Sequence, residues 1–128
     1  MLADNLRILR TQVQVFKGQH RGVPPGYPNC QPAQAPTEAA FIEHMTKSST
    51  AEGTIAAPHT PGFRFGPYFS EMPENPINGK ATVQMMADGA QFPAAPDNSH
   101  GWIYQPSTGR VKGDCPGTDE SGNDYFGY

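Results

Sequence analysis

No stretch of this chain is apolar for the roughly 18–20 residues that a bilayer-crossing helix requires. No signal-peptide pattern is present either, so the 128 residues read as a water-soluble domain. A basic run is also missing. Nine Lys and Arg are scattered against twelve Asp and Glu, giving a net charge of -3, and no nucleic-acid partner is expected. Hydrophobic residues make up only 36%, less than in an ordinary globular chain, which excludes a large core. Two cysteines, Cys30 and Cys115, are too few for a disulfide-dense scaffold and lack metal-ligand spacing. In an oxidising compartment they can close one long loop; otherwise they are two free thiols.

Catalytic patterns are missing too. The four histidines, His20, His44, His59 and His100, include no ligand pair four residues apart and no zinc-spaced cysteine. His20 and His44 fall near helix ends, where an exposed imidazole is ordinary. No nucleophile elbow or phosphate loop is visible. The chain is therefore not expected to be an enzyme.

Glycine and proline are what the chain has in plenty, 14 of each. They point to a loop-rich domain with few regular elements. The aromatic share of 10% argues against disorder. The best helix signal comes first: Leu2, Leu6, Leu9, Val13 and Phe16 recur at steps of four and three, the pattern of one helix face. Ile8 and Val15 are expected to widen that buried stripe. Gly18 and Gly22 weaken the helix, and "VPPGYP" (23–28) ends it, because Pro lacks a donor and disfavours α for its predecessor. A second, short helix is expected over 36–49, with Thr37 as N-cap, Glu38 in its first turn and Phe41, Ile42 and Met45 on its buried face.

Residues 50–80 carry turn chemistry throughout, "NPING" above all. "ATVQMM" (81–86) is a candidate strand. "WIYQ" and "RVKG", joined by a turn through Pro106 and Gly109, read as a hairpin. Trp102 and Tyr104 are expected to meet the first helix. In the tail, Asp114, Asp119, Ser121, Asn123 and Asp124 form an oxygen-rich, glycine-bearing loop. Such a set suits calcium, with Asp114, Asp119 and Asp124 as ligands, although the spacing is not that of an EF-hand; a solvated acidic loop is the alternative. Charge is unevenly spread. Arg7, Arg10, Lys17 and Arg21 face only Asp4 at one end, and residues 114–128 contain acids without a Lys or Arg. That is either solvated surface or complementarity between stacked copies.

Taken in order, "LRILRTQVQVF", "FIEHMTKSSTAEG", "FGPYFSEMPENPING" and "GWIYQPSTGRV" resemble the bacterial type IV pilin-like proteins. The likeness is strongest to the G-type major pseudopilins of type II secretion and covers nearly the whole chain. The resemblance implies an α+β pilin-like fold, with one long N-terminal helix packed on a small antiparallel sheet. A single domain, 1–128, would divide into the C-terminal half of that helix (1–21), a short helix and loops (22–80), and a sheet with an acidic C-terminal loop (81–128). The leader, cleavage site and apolar half-helix of such proteins are not in this sequence, so it reads as a truncated head. The full-length protein would be a processed prepilin with a methylated N-terminus. It would be anchored in the inner membrane with a periplasmic head, or assembled in an extracytoplasmic filament. Its partners would be copies of itself, other pseudopilins and secretion-machinery components. In this family the C-terminal loop of the major subunits holds calcium, which implies the same for the acidic tail here. Two alternatives stay open: a type IV pilus pilin, or a secreted ligand-binding module with Tyr27, Phe63, Tyr68 and Trp102 lining a groove.

Overall fold

A computed structural model describes residues 1–128. Helix α1 (Leu2–Gln19) opens the chain, and a 3-10 turn (Pro28–Cys30) leads to helix α2 (Glu38–Thr46). Five short strands follow: β1 (Ser48–Ser49), β2 (Ile55–Ala56), β3 (Val83–Met85), β4 (Trp102–Gln105) and β5 (Arg110–Gly113). A second 3-10 turn (Tyr125–Gly127) lies in the tail. No helix is long and apolar enough to cross a membrane.

The spacing of Leu2, Leu6, Leu9, Val13 and Phe16 decides how α1 packs. All five are buried, and they share one core cluster with Phe41, Met45, Val83, Trp102, Tyr104 and Val111. Each such side chain removed from water contributes roughly 1.5–3 kcal/mol. α1 lies along β5 and α2 against β3. Four further hydrogen bonds fasten the helices. The Arg10 guanidinium donates to the Val111 carbonyl at 2.7 Å and to the Tyr128 carbonyl at 3.1 Å. Thr37 caps α2 by accepting from the Ala40 N–H, and Glu38 accepts from the Val83 N–H at 2.6 Å, which ties α2 to the sheet.

Four expectations need correction. The sheet is mixed, not antiparallel: β4 and β5 form the expected hairpin, but β3 runs parallel to β4. A parallel neighbour needs a long connection, and residues 86–101 supply it. The segment 22–80 is more than helix and loops, because β1 and β2 form a two-stranded ribbon, extended by a bridge from Ser49 to Phe65. Two-residue strands carry no periodicity to read. Ile8 and Val15 do not widen the buried face; each keeps 39% of its surface exposed. Arg10 is not a free surface cation but a strap across α1, β5 and the tail.

The parallel pairing demands close backbone approach. The Gly101 and Trp102 N–H groups both donate to the Thr82 carbonyl, and a Cβ at Gly101 would run into the Lys80 carbonyl. Backbone cannot yield as a side-chain tip can. Gly101→Ala is expected to cost about 1–3 kcal/mol in urea unfolding; a loss under half a kcal/mol would show that the crossover is slack.

Candidate functional site

The tail and the loops beside it hold most of the polar chemistry expected from the sequence. Asp114 is fully buried, and both of its carboxylate oxygens are occupied. Oδ1 accepts from the backbone N–H groups of Asp97 (3.1 Å) and Asn98 (3.3 Å). Oδ2 accepts from the N–H groups of Ser99 (3.1 Å) and His100 (3.0 Å) and from the Ser99 hydroxyl (3.3 Å). This carboxylate thus gathers four consecutive backbone donors. The "PENPING" loop joins the same hub. Asn75, also fully buried, donates to the Gly101 carbonyl at 2.9 Å. Asn78 donates to the carbonyls of His100 and Asp114, and the Trp102 indole donates to the Pro73 carbonyl at 2.9 Å.

Asp119 organises the tail turn. Its Oδ1 accepts from the Ser121 and Asn123 N–H groups, both at 2.9 Å, and Oδ2 from the Tyr128 hydroxyl at 2.7 Å. The Tyr128 bond, then those backbone donors, hold the Asp119 carboxyl below the usual carboxylate range, and the same bond lifts the Tyr128 phenol to about 12. Glu120 and Asp124 stand exposed on the turn.

Asp114, Asp119 and Asp124, the residues expected to ligate calcium, are not assembled into one ligand set. Asp114 faces the 97–100 loop, Asp119 faces its own turn, and no three acidic, His or Cys side chains converge as metal ligands. N–H and O–H groups already point at the carboxylate oxygens of Asp114 and Asp119.

Cys30 and Cys115 are both buried and both free. Their surroundings differ. The Cys30 thiol lies 3.9 Å from His44 Nε2 and directly against Gly53, whereas Cys115 borders Gly113 in the core beside β5. Burial pushes both thiols up, which makes them poor nucleophiles.

The histidines overturn their expected place more sharply. His20 and His44 are completely buried; His20 stacks on Phe16 at a ring distance of 3.6 Å, and His44 lies tilted against the same ring at 4.8 Å. His20 Nδ1 lies 2.7 Å from the Phe16 carbonyl, which only accepts, so this nitrogen donates. His20 Nε2 then accepts from the Ser49 hydroxyl at 2.7 Å. His44 Nδ1 accepts from the Gly26 N–H at 3.0 Å. Ser49 and His20 have the geometry of a nucleophile and base, but both are sealed in the core and no substrate can reach them. They join α1 to β1 instead. Only their tertiary neighbours reveal this, because both histidines sit at helix ends that look solvated in sequence.

The aromatics suggested as groove lining are structural as well. Tyr27 and Trp102 are buried. The Tyr27 hydroxyl donates to Asp88 at 2.6 Å, and the Tyr68 hydroxyl to Gln19. Phe63 is half-buried in a loop.

No protein-family model, curated protein or solved structure matches this chain. What it can do therefore follows from its own side chains: a helix packed on a mixed sheet through one face, and an acidic loop held by internal hydrogen bonds.

Proposed function

We propose that this chain is the globular head of a structural filament subunit, a pilin-like protein of the major pseudopilin type that serves type II protein secretion. The observation that carries the reading is the interlocking of the segments on which the resemblance rests. The "PENPING" loop, the "GWIYQ" strand and the residues after the hairpin meet at Asn75, Trp102 and Asp114. The buried face of α1 completes the same core. Segments that resemble a family in sequence and also depend on one another physically are better support than scattered likenesses.

In this reading an apolar helical segment, continuous with α1, holds the subunit in the inner membrane and then packs among its neighbours in the filament core. The head provides many small repeated contacts. These add through multivalency, so a polymer of weak contacts can be extended and withdrawn.

The test is the full-length gene. It is expected to encode a leader and an apolar helix running into Leu2, and its product, expressed with its assembly genes, is expected to form filaments visible by electron microscopy. A native start at Met1 with no such helix would end the proposal. Flanking secretion genes favour the pseudopilus; flanking pilus genes would move the chain to the type IV pilus class.

A further inference from the structure

We propose that Asn78 is a latent deamidation site. The folded chain holds its side-chain amide inert, opening of the surrounding loops starts the reaction, and the product cannot rebuild the hydrogen bonds it has lost. The inference concerns the chain's own chemistry and stands whatever assembly the chain enters.

Of the six asparagines, Asn78 alone precedes a glycine. In an Asn-Gly pair the glycine nitrogen gives up its proton and attacks the Asn side-chain carbonyl carbon. A bond forms from that nitrogen to Cγ, the bond from Cγ to Nδ2 breaks, and ammonia leaves. Water then opens the cyclic imide at either carbonyl, giving aspartate or isoaspartate. The net change consumes only water. Glycine favours it because no Cβ crowds the attacking nitrogen.

The fold dictates both members of the pair. Gly79 takes φ 71°, the left-handed conformation that glycine adopts without steric cost. Asn78 is needed for its donors. Its Nδ2 lies 3.0 Å from Asn98 Oδ1, 3.0 Å from the His100 carbonyl and 3.1 Å from the Asp114 carbonyl. Its Oδ1 accepts from the Lys80 N–H at 3.0 Å.

These bonds oppose each part of the reaction. The Gly79 N–H donates to the Asn75 carbonyl at 2.7 Å, which keeps the proton on the nitrogen that must attack. The leaving Nδ2 is held by three acceptors, and Oδ1 by a fourth residue, so the amide is not free to turn toward its attacker. Gly79 is exposed and Asn78 only half-buried. Protection therefore comes from these bonds and not from exclusion of water.

The product is locked out of the same place. An aspartate at 78 has no N–H to offer, so three acceptors would face a carboxylate. Isoaspartate adds a methylene to the backbone inside a turn closed by the Asn75 N–H on the Lys80 carbonyl, at 2.8 Å. That carbonyl lies where a Cβ on Gly101 would stand, so a longer turn presses on the β3–β4 crossover.

Trypsin releases residues 65–80 as one peptide, between Arg64 and Lys80. The other asparagine in it, Asn75, precedes Pro76, whose nitrogen has no proton to lose, so a change of amide to acid in this peptide reports Asn78. Its mass is followed over time at mildly alkaline pH in the native chain, in the chain unfolded by guanidinium, and in a synthetic 65–80 peptide. Conversion in the native chain is expected to be at least about tenfold slower than in either reference, since it requires local opening. Asp114→Asn, which loosens the 97–100 loop, should speed conversion in buffer and leave the guanidinium rate unchanged. Asn78→Asp should unfold at a lower guanidinium concentration than the native chain. Native conversion as fast as that of the peptide, or no conversion in the peptide, would overturn the proposal, and this comparison needs no variant. An Asp114→Asn rate equal to the native one, or an unchanged midpoint in Asn78→Asp, would overturn it as well.

Discussion

Replacing Asp114 with Ala is expected to lower the unfolding free energy by about 3 kcal/mol or more, since charge-assisted hydrogen bonds are each worth roughly 1.5–3 kcal/mol. The effect is large because one carboxylate serves five donors, four of them consecutive backbone N–H groups of residues 97–100. Without it, those groups must find water or remain unpaired. The loop they belong to also positions Gly101 and Trp102, and through them the β3–β4 pairing. The damage should therefore spread from the loop to the sheet. Asp114→Asn is the finer probe. It keeps one acceptor oxygen but removes the charge and turns an NH2 group toward donors, so an intermediate loss is expected. Urea unfolding gives the magnitude, and amide hydrogen exchange at residues 97–100 gives the location. A loss below about 1 kcal/mol with those amides still protected would mean that Asp114 is incidental to the hub.

The second large effect is on acid stability. His44 sits in the core with its Nδ1 accepting the Gly26 N–H. Protonation would place one N–H against another and bury a charge. Burial first, and then nearby His20, pull its pKa down from 6.5 to about 4. Between those two values the unfolded chain binds a proton that the folded chain refuses, so stability rises with pH. The contribution is fully present above pH 6.5 and is lost as pH falls toward 4. At one pKa unit per 1.36 kcal/mol, the loss between neutral pH and pH 4.5 is roughly 2–3 kcal/mol. His20, also lowered by burial, adds in the same direction. The check is the pH dependence of urea unfolding in the native chain and in His44→Gln. The variant should be less stable at neutral pH, yet its curve should be flatter by up to one proton across the window. Parallel curves would show that His44 does not titrate as its surroundings imply.

Much of the architecture was legible in the sequence because it rests on local rules. The step pattern Leu2, Leu6, Leu9, Val13, Phe16 admits only a helix with one buried face, and the structure buries all five residues. Thr37 before an apolar run is a cap, and its side chain accepts the Ala40 N–H. "WIYQ" and "RVKG" around a Pro- and Gly-bearing turn are a hairpin, and they pair in that register. In each case neighbouring residues in the chain supply the whole reason.

Where the reason lies between distant segments, the sequence was silent or misleading. It could not give the direction of β3, since strand composition is alike in parallel and antiparallel pairs and the choice depends on where residues 86–101 return. Nor could it give the fate of Asp114, whose acidic neighbours suggest a cation while its actual partners, seventeen residues away at most, are backbone donors. Ile8 and Val15 look like core because they are apolar, but the sheet covers only the other side of α1, and that geometric limit leaves both partly exposed. The sequence by itself determined which residues form helix, hairpin and turn, because those depend on spacing and backbone chemistry within a few residues. Only the tertiary structure decided which polar groups are buried and satisfied and which face stays open, because burial is a property of the packed whole.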